Sequence, residues 1–130
     1  MIHDLTIYSV PYRSILNEGK TVEVRLNDDL VNKIRLGDQI RFLLEDEEES
    51  FLCSVTKLES YKSFSEMYLA IDFRLLDCEG WTLEEMVTAT YKFYTPEEEM
   101  AFGALAIGIE LVESMERTRQ PKQKANSAPF

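Results

Sequence analysis

The sequence predicts an α+β fold: a small β-barrel of about five to six strands with helices around its rim. Three observations carry this reading. Short runs rich in β-branched and aromatic residues are separated by Gly, Asp and Asn turn signals. Ser/Thr-x-x-Glu capping signals recur at Ser63, Thr82 and Thr95 and mark helix starts. The length of 130 residues suffices for one hydrophobic core but not for two.

The elements follow in order. Residues 4–10 alternate as a strand, with Leu5 and Ile7 on one side. Pro11 can open a helix at its first turn and Gly19 can end it, and Tyr12, Ile15 and Leu16 supply a buried stripe between them. Residues 21–26 form a second strand. Residues 27–36 are a polar connection anchored by Leu30 and Ile34, and Gly37-Asp38 turns the chain into a strand over 39–44. The run Glu-Asp-Glu-Glu-Glu-Ser at 45–50 reads as a solvated hairpin tip, since adjacent carboxylates on an exposed loop do not converge on a metal. A fourth strand spans 51–58.

The helix opened by Ser63 carries Phe64, Met67 and Tyr68, and the one opened by Thr95 has Pro96 at its first position. Met67, Met86 and Met100 sit at helical positions and read as core. Residues 104–111 form a small-residue interior strand, where Gly103 and Gly108 allow close backbone approach. The stretch 117–130 has little to bury and reads as a disordered basic tail, which leaves 1–116 as the domain.

The net charge is −10. Of the 14 Lys and Arg, four (Arg117, Arg119, Lys122 and Lys124) lie in the tail, so residues 1–116 hold 10 bases against 24 acids, a balance of −14. Such a domain repels a phosphate backbone at long range, which disfavours a long groove for nucleic acid and favours a small site. No apolar run approaches the roughly 18 residues of a membrane span, and the start Met-Ile-His-Asp-Leu lacks the features of a secretory signal. Cys53 and Cys78 have no metal-like spacing and read as reduced thiols of a cytoplasmic protein. Neither a metal nor a cofactor is expected.

The richest stretch is Gly19-Lys20-Thr21-Val22-Glu23-Val24-Arg25. Side chains alternate along a strand, so Thr21, Glu23 and Arg25 share a polar face, while Val22, Val24 and Leu26 share a core face. A lysine, a carboxylate and a guanidinium at this spacing suit a binding or catalytic pocket. The plain alternative is a surface ion pair worth little. Asn27 and Asp28 are turn formers that could also line the mouth of such a pocket. Trp81, Tyr61, Tyr91 and Tyr94 suit packing, although one exposed ring near the pocket could stack a base.

The pattern Gly-Lys-x-x-Glu-x-Arg, after a short helix and before a Gly-Asp turn, resembles the ASCH domain, a relative of the PUA-like RNA-binding fold. The resemblance runs from about residue 3 to residue 111. It implies a mixed PUA-like barrel and a ligand that is RNA, a nucleotide or a modified nucleoside, held by Lys20, Thr21, Glu23, Arg25 and Asn27. The segment Asp77-Cys78-Glu79-Gly80-Trp81-Thr82-Leu83 is further similar to its equivalent in bacterial ASCH-type acetylcytidine amidohydrolases. By that likeness Lys20 and Glu79 match a catalytic lysine and glutamate. Glu23 stands where those enzymes have a threonine, so the catalytic set here would be Lys20, Glu23 and Glu79 acting through water.

The functional expectation is therefore an ASCH domain that binds RNA or a nucleoside in a Lys/Glu/Arg pocket. Hydrolysis of an acyl amide on a nucleobase stays open. The alternatives are a non-catalytic module that docks RNA or protein and, more weakly, a ribonuclease.

Overall fold

The computed structural model describes residues 1–45 and 48–115. It builds one mixed sheet from β1 (Ile2–Ile7), β2 (Val22–Leu26), β3 (Gln39–Leu44), β4 (Ser50–Tyr61) and β5 (Ala104–Met115). The spatial order is β1-β3-β4-β5-β2, curled into a half-barrel. Only β1 and β3 run parallel, and the other three pairings are antiparallel. Four α-helices, α1 (Ser9–Asn17), α2 (Phe64–Ala70), α3 (Leu83–Thr90) and α4 (Pro96–Phe102), cover the sheet. The α+β half-barrel with peripheral helices agrees with the expectation. Asp46 and Glu47 of the acidic run, and the basic tail, lie outside the described residues.

Local chemistry sets most boundaries. Ser63 accepts from the amide of Glu66, and Thr82 and Thr95 close full capping boxes with Glu85 and Glu98. Gly19 takes φ +77°, which lets the chain leave α1 and turn into β2. The long β4–β5 ladder slips register at Leu52/Cys53 and again at Val55/Lys57, and such bulges bend a strand and raise its twist. Gly108 sits opposite the second slip, where a Cβ would lie 2.8 Å from that of Lys57. Close approach at Gly108, expected from the sequence, is thus required by the bulge.

Two clusters fill the sides of the sheet. One gathers Leu5, Ile7, Tyr12, Ile15, Ile34, Ile40, Phe42, Phe51 and Ile107 between the sheet and α1. The other packs Val24, Leu26 and Ala106 against Phe64, Met67, Tyr68, Met86 and Tyr94 from the helical segments. Three sequence expectations need correction. The helix begins at Ser9, before Pro11, because proline is tolerated anywhere in a first turn. Val31, not Leu30, anchors the polar connection with Ile34, since the turn at Asp28 faces Leu30 outward. Met100 is 88% exposed, because α4 is short and buries its inner side through Glu99.

Candidate functional site

Lys20, Glu23 and Arg25 converge. Glu23 Oε1 accepts from Lys20 Nζ at 3.0 Å, and Glu23 Oε2 accepts from Arg25 Nε at 2.8 Å. One carboxylate thus holds two cations, one on each oxygen. Burial works to raise the Glu23 carboxyl, but the Lys20 and Arg25 charges and their hydrogen bonds overcome it and hold it below the usual carboxylate range. The same carboxylate adds to the burial that pushes the Cys53 thiol up to about 12.

The array is sealed. The side chains of Lys20 and Glu23 are 0% exposed and that of Arg25 is 2% exposed. One expectation from the sequence is corrected here. Glu23 and Arg25 do not form a polar outer face, because their register partners Ile107 and Leu105 face the core beside them. The opposite face, with Val24 and Leu26, is buried against the helices, so β2 is covered on both sides. The reason lies in the topology. Strand β2 is an edge of the sheet, and curling brings it toward β1, the other edge, where Arg25 Nη2 donates to the carbonyl of Thr6 at 2.8 Å.

Neighbouring segments fix the lysine. The Lys20 amide donates to the Ser14 carbonyl of α1, and the Thr21 amide donates to the Leu75 carbonyl of the 3₁₀ turn Phe73–Leu76. Ser14 Oγ in turn donates to Asp77, which takes φ +58°. The loop from Leu75 to Cys78 therefore clamps the start of β2 against α1. Lys20 lies near enough to Cys78 to offset part of the burial that raises that thiol to about 11. Glu79, the next residue, is exposed, and its charge is felt by Arg74. Thr21 is also exposed. The structure thus unites Lys20, Glu23 and Arg25 and leaves Glu79 outside them.

Asn27 belongs to a different feature. Just past β2, its amide donates to the Gly103 carbonyl at 2.9 Å. There the ends of β2 and β4 and the start of β5 meet, because Leu26 and Tyr61 both pair with Ala104. They enclose an open groove of about 560 Å³ lined by Asn27, Ser60, Tyr61, Lys62, Phe102 and Gly103. Asn27 Oδ1 is buried without a hydrogen-bond partner. The sequence reading singled out Asn27 but missed Lys62 and Phe102. Nothing local marks them, since only strand register brings residues so far apart in the chain to one place. A second, smaller groove of about 280 Å³ lies on the outer face, lined by Val22, Lys57, Glu59, Ile71, Asp72 and Leu75.

Among the described residues no group of three or more His, Cys, Asp and Glu could hold a metal ion. No helix among them is long and apolar enough to cross a membrane.

The ASCH domain family model matches residues 5–113. The crystal structure of hypothetical protein PH0355 is similar, with a TM-score of 0.76 and 27% identity, over 86% of this chain and 100% of that one. So is the solution structure of protein PF0455 from Pyrococcus furiosus, with a TM-score of 0.64 and 27% identity, over 86% of this chain and 98% of the other. No curated protein matches the chain.

Proposed function

The chain belongs to the ASCH domain family, and from that premise we propose that it binds RNA, a nucleotide or a modified nucleoside without chemical turnover. The domain of this reading is 1–116, with the basic tail adding attraction for an anionic partner in a reduced, cytoplasmic setting. Lys20, Glu23 and Arg25 act as buried support, Thr21 is exposed just before β2, and Asn27 lines the groove at the other end of that strand.

One observation carries the choice of binding over hydrolysis: the carboxylate of Glu23 engages both Lys20 and Arg25 inside a sealed array. A general base must reach the proton that it removes, at about 3 Å or through one water. A sealed lysine that donates to a carboxylate serves structure better than attack. Glu79, the remaining member of the catalytic set, is exposed, whereas the array is sealed. The likeness to acetylcytidine amidohydrolases rests on Lys20 and Glu79, and the contrast between a sealed lysine and an exposed glutamate favours the binding reading. A ribonuclease would need the same two residues to act together and would work against the acidic surface.

The test is a titration of ¹⁵N-labelled protein with cytidine, N4-acetylcytidine, adenosine and short single-stranded RNAs. Saturable shifts with at least one of them are expected. Unchanged spectra across the whole panel, at millimolar ligand, would overturn the proposal.

A further inference from the structure

We infer that the groove at the strand ends, between Asn27, Tyr61, Lys62 and Phe102, is the seat of a single nucleobase. This rests on the nucleotide-binding reading above and names the surface that serves it. The buried array cannot be that surface, since none of its side chains is more than 2% exposed.

Four observations converge on the groove. The first is an unspent acceptor. Asn27 Oδ1 is buried with no partner, and an unsatisfied buried acceptor is a standing cost that a ligand donor would remove. Exocyclic amino groups of adenine and cytosine are such donors, and uracil offers its ring N3–H instead. The second is the pair of aromatic side chains in the lining. Tyr61 is half-buried and Phe102 is 43% exposed. Exposed rings beside hydrogen-bonding groups are the usual means of holding a base by its face.

The third is charge. Lys62 is exposed in the lining and no acid shares that lining, although acids dominate the domain. One cation suits one phosphate at the edge of a base site, not a long backbone. The fourth is the floor. Gly103 takes φ +75°, and a Cβ there would lie 2.6 Å from the Tyr61 carbonyl. The missing side chain lets the β4 and β5 backbones come together at the groove. The volume of about 560 Å³ exceeds what one base needs and leaves room for its sugar.

The base can come from a free nucleoside or from a single strand, and the experiment separates these. Wild-type protein is titrated with adenosine, cytidine, uridine and the trinucleotides of A, C and U, read by amide shifts and by calorimetry. Phe102→Ala, Asn27→Leu and Lys62→Ala are titrated in parallel, with circular dichroism to verify folding. Phe102 is exposed enough that its truncation leaves the core intact, so this variant stays informative if Asn27→Leu misfolds.

Shifts centred on Asn27, Lys62 and Gly103 are expected. Phe102→Ala should weaken all bases about tenfold. Asn27→Leu should weaken adenosine and cytidine about tenfold. If a strand is the source, Lys62→Ala weakens the trinucleotides alone. If a free nucleoside is the source, the trinucleotides bind no tighter than the nucleosides. Wild-type binding with shifts elsewhere, such as around Val22 and Asp72, or with affinity unaltered in Phe102→Ala, overturns the groove assignment while nucleotide binding stands. Absence of all binding by the wild type overturns both.

Discussion

Arg25, on one edge strand of the sheet, donates through Nη2 to the backbone carbonyl of Thr6, on the other edge strand, at 2.8 Å. A half-barrel leaves two strand edges with unmet backbone groups, and this side chain meets one of them from inside. The guanidinium can do so because its fork also reaches Glu23 through Nε. Lysine has one nitrogen and cannot span both.

Arg25→Lys should therefore loosen the seam more than it changes charge. A loss of about 2 kcal/mol of stability is expected, the range for a hydrogen bond to a charged group. Native-state hydrogen exchange should accelerate first in β1 and β2. Unaltered exchange in these edge strands would show that the seam does not depend on the fork.

Glu23→Gln removes the carboxylate that pairs with both Lys20 and Arg25, whose side chains are almost fully enclosed. Breaking a buried pair by deleting one partner costs about 3–5 kcal/mol. Urea denaturation should report a loss of that order. Asp72→Asn, which disrupts the exposed pair with Arg74, should leave the midpoint nearly unchanged.

The same carboxylate gives the fold an acid limit. Its folded value lies below the ordinary one of about 4.3, so near that pH the unfolded chain binds more protons than the folded one. The stability it contributes is fully present above the unfolded value and is lost as pH falls through the folded value. Urea titrations from pH 7 down to pH 3 should show stability falling steeply at the acid end. The slope should be shallower in Glu23→Gln, and equal slopes would remove Glu23 as its source.

Gly103 and Gly19 have nearly the same φ, +75° and +77°, but different surroundings. At Gly19 a Cβ would meet nothing within 4 Å, whereas at Gly103 it would meet the Tyr61 carbonyl at 2.6 Å. Gly19→Ala should cost about 1 kcal/mol for the left-handed conformation alone. Gly103→Ala should cost more than about 2 kcal/mol, because backbone must also move. Thermal melts of the two variants measure the difference.

Much of the fold was legible in the chain. Ser63, Thr82 and Thr95 gave their helices away because a cap is a local hydrogen-bond arrangement. Gly37-Asp38 did the same for its turn. Alternation along 21–26 predicts the strand but not the cover over its polar face, because sequence period shows which residues share a side and not what covers it. The curl that encloses Glu23 and Arg25 depends on β1 and β2 lying at opposite ends of the sheet order, which is a global property. Leu30 and Val31 were exchanged as anchors for a related reason: in an irregular turn no period says which neighbour points inward. Lys20, Glu23 and Arg25 were found by residue type and spacing. Glu79 came from likeness alone, and the loop that clamps Lys20 carries it outward. Lys62 and Phe102 could be joined only by the register of β2, β4 and β5.

The most direct test of a sealed, non-reacting array is to incubate the protein with N4-acetylcytidine and follow free cytidine by chromatography, with Lys20→Met in parallel. Binding of the nucleoside with no cytidine released above the protein-free control is expected. Cytidine release by the wild type that disappears in a folded Lys20→Met variant would contradict it and make the lysine a reacting group.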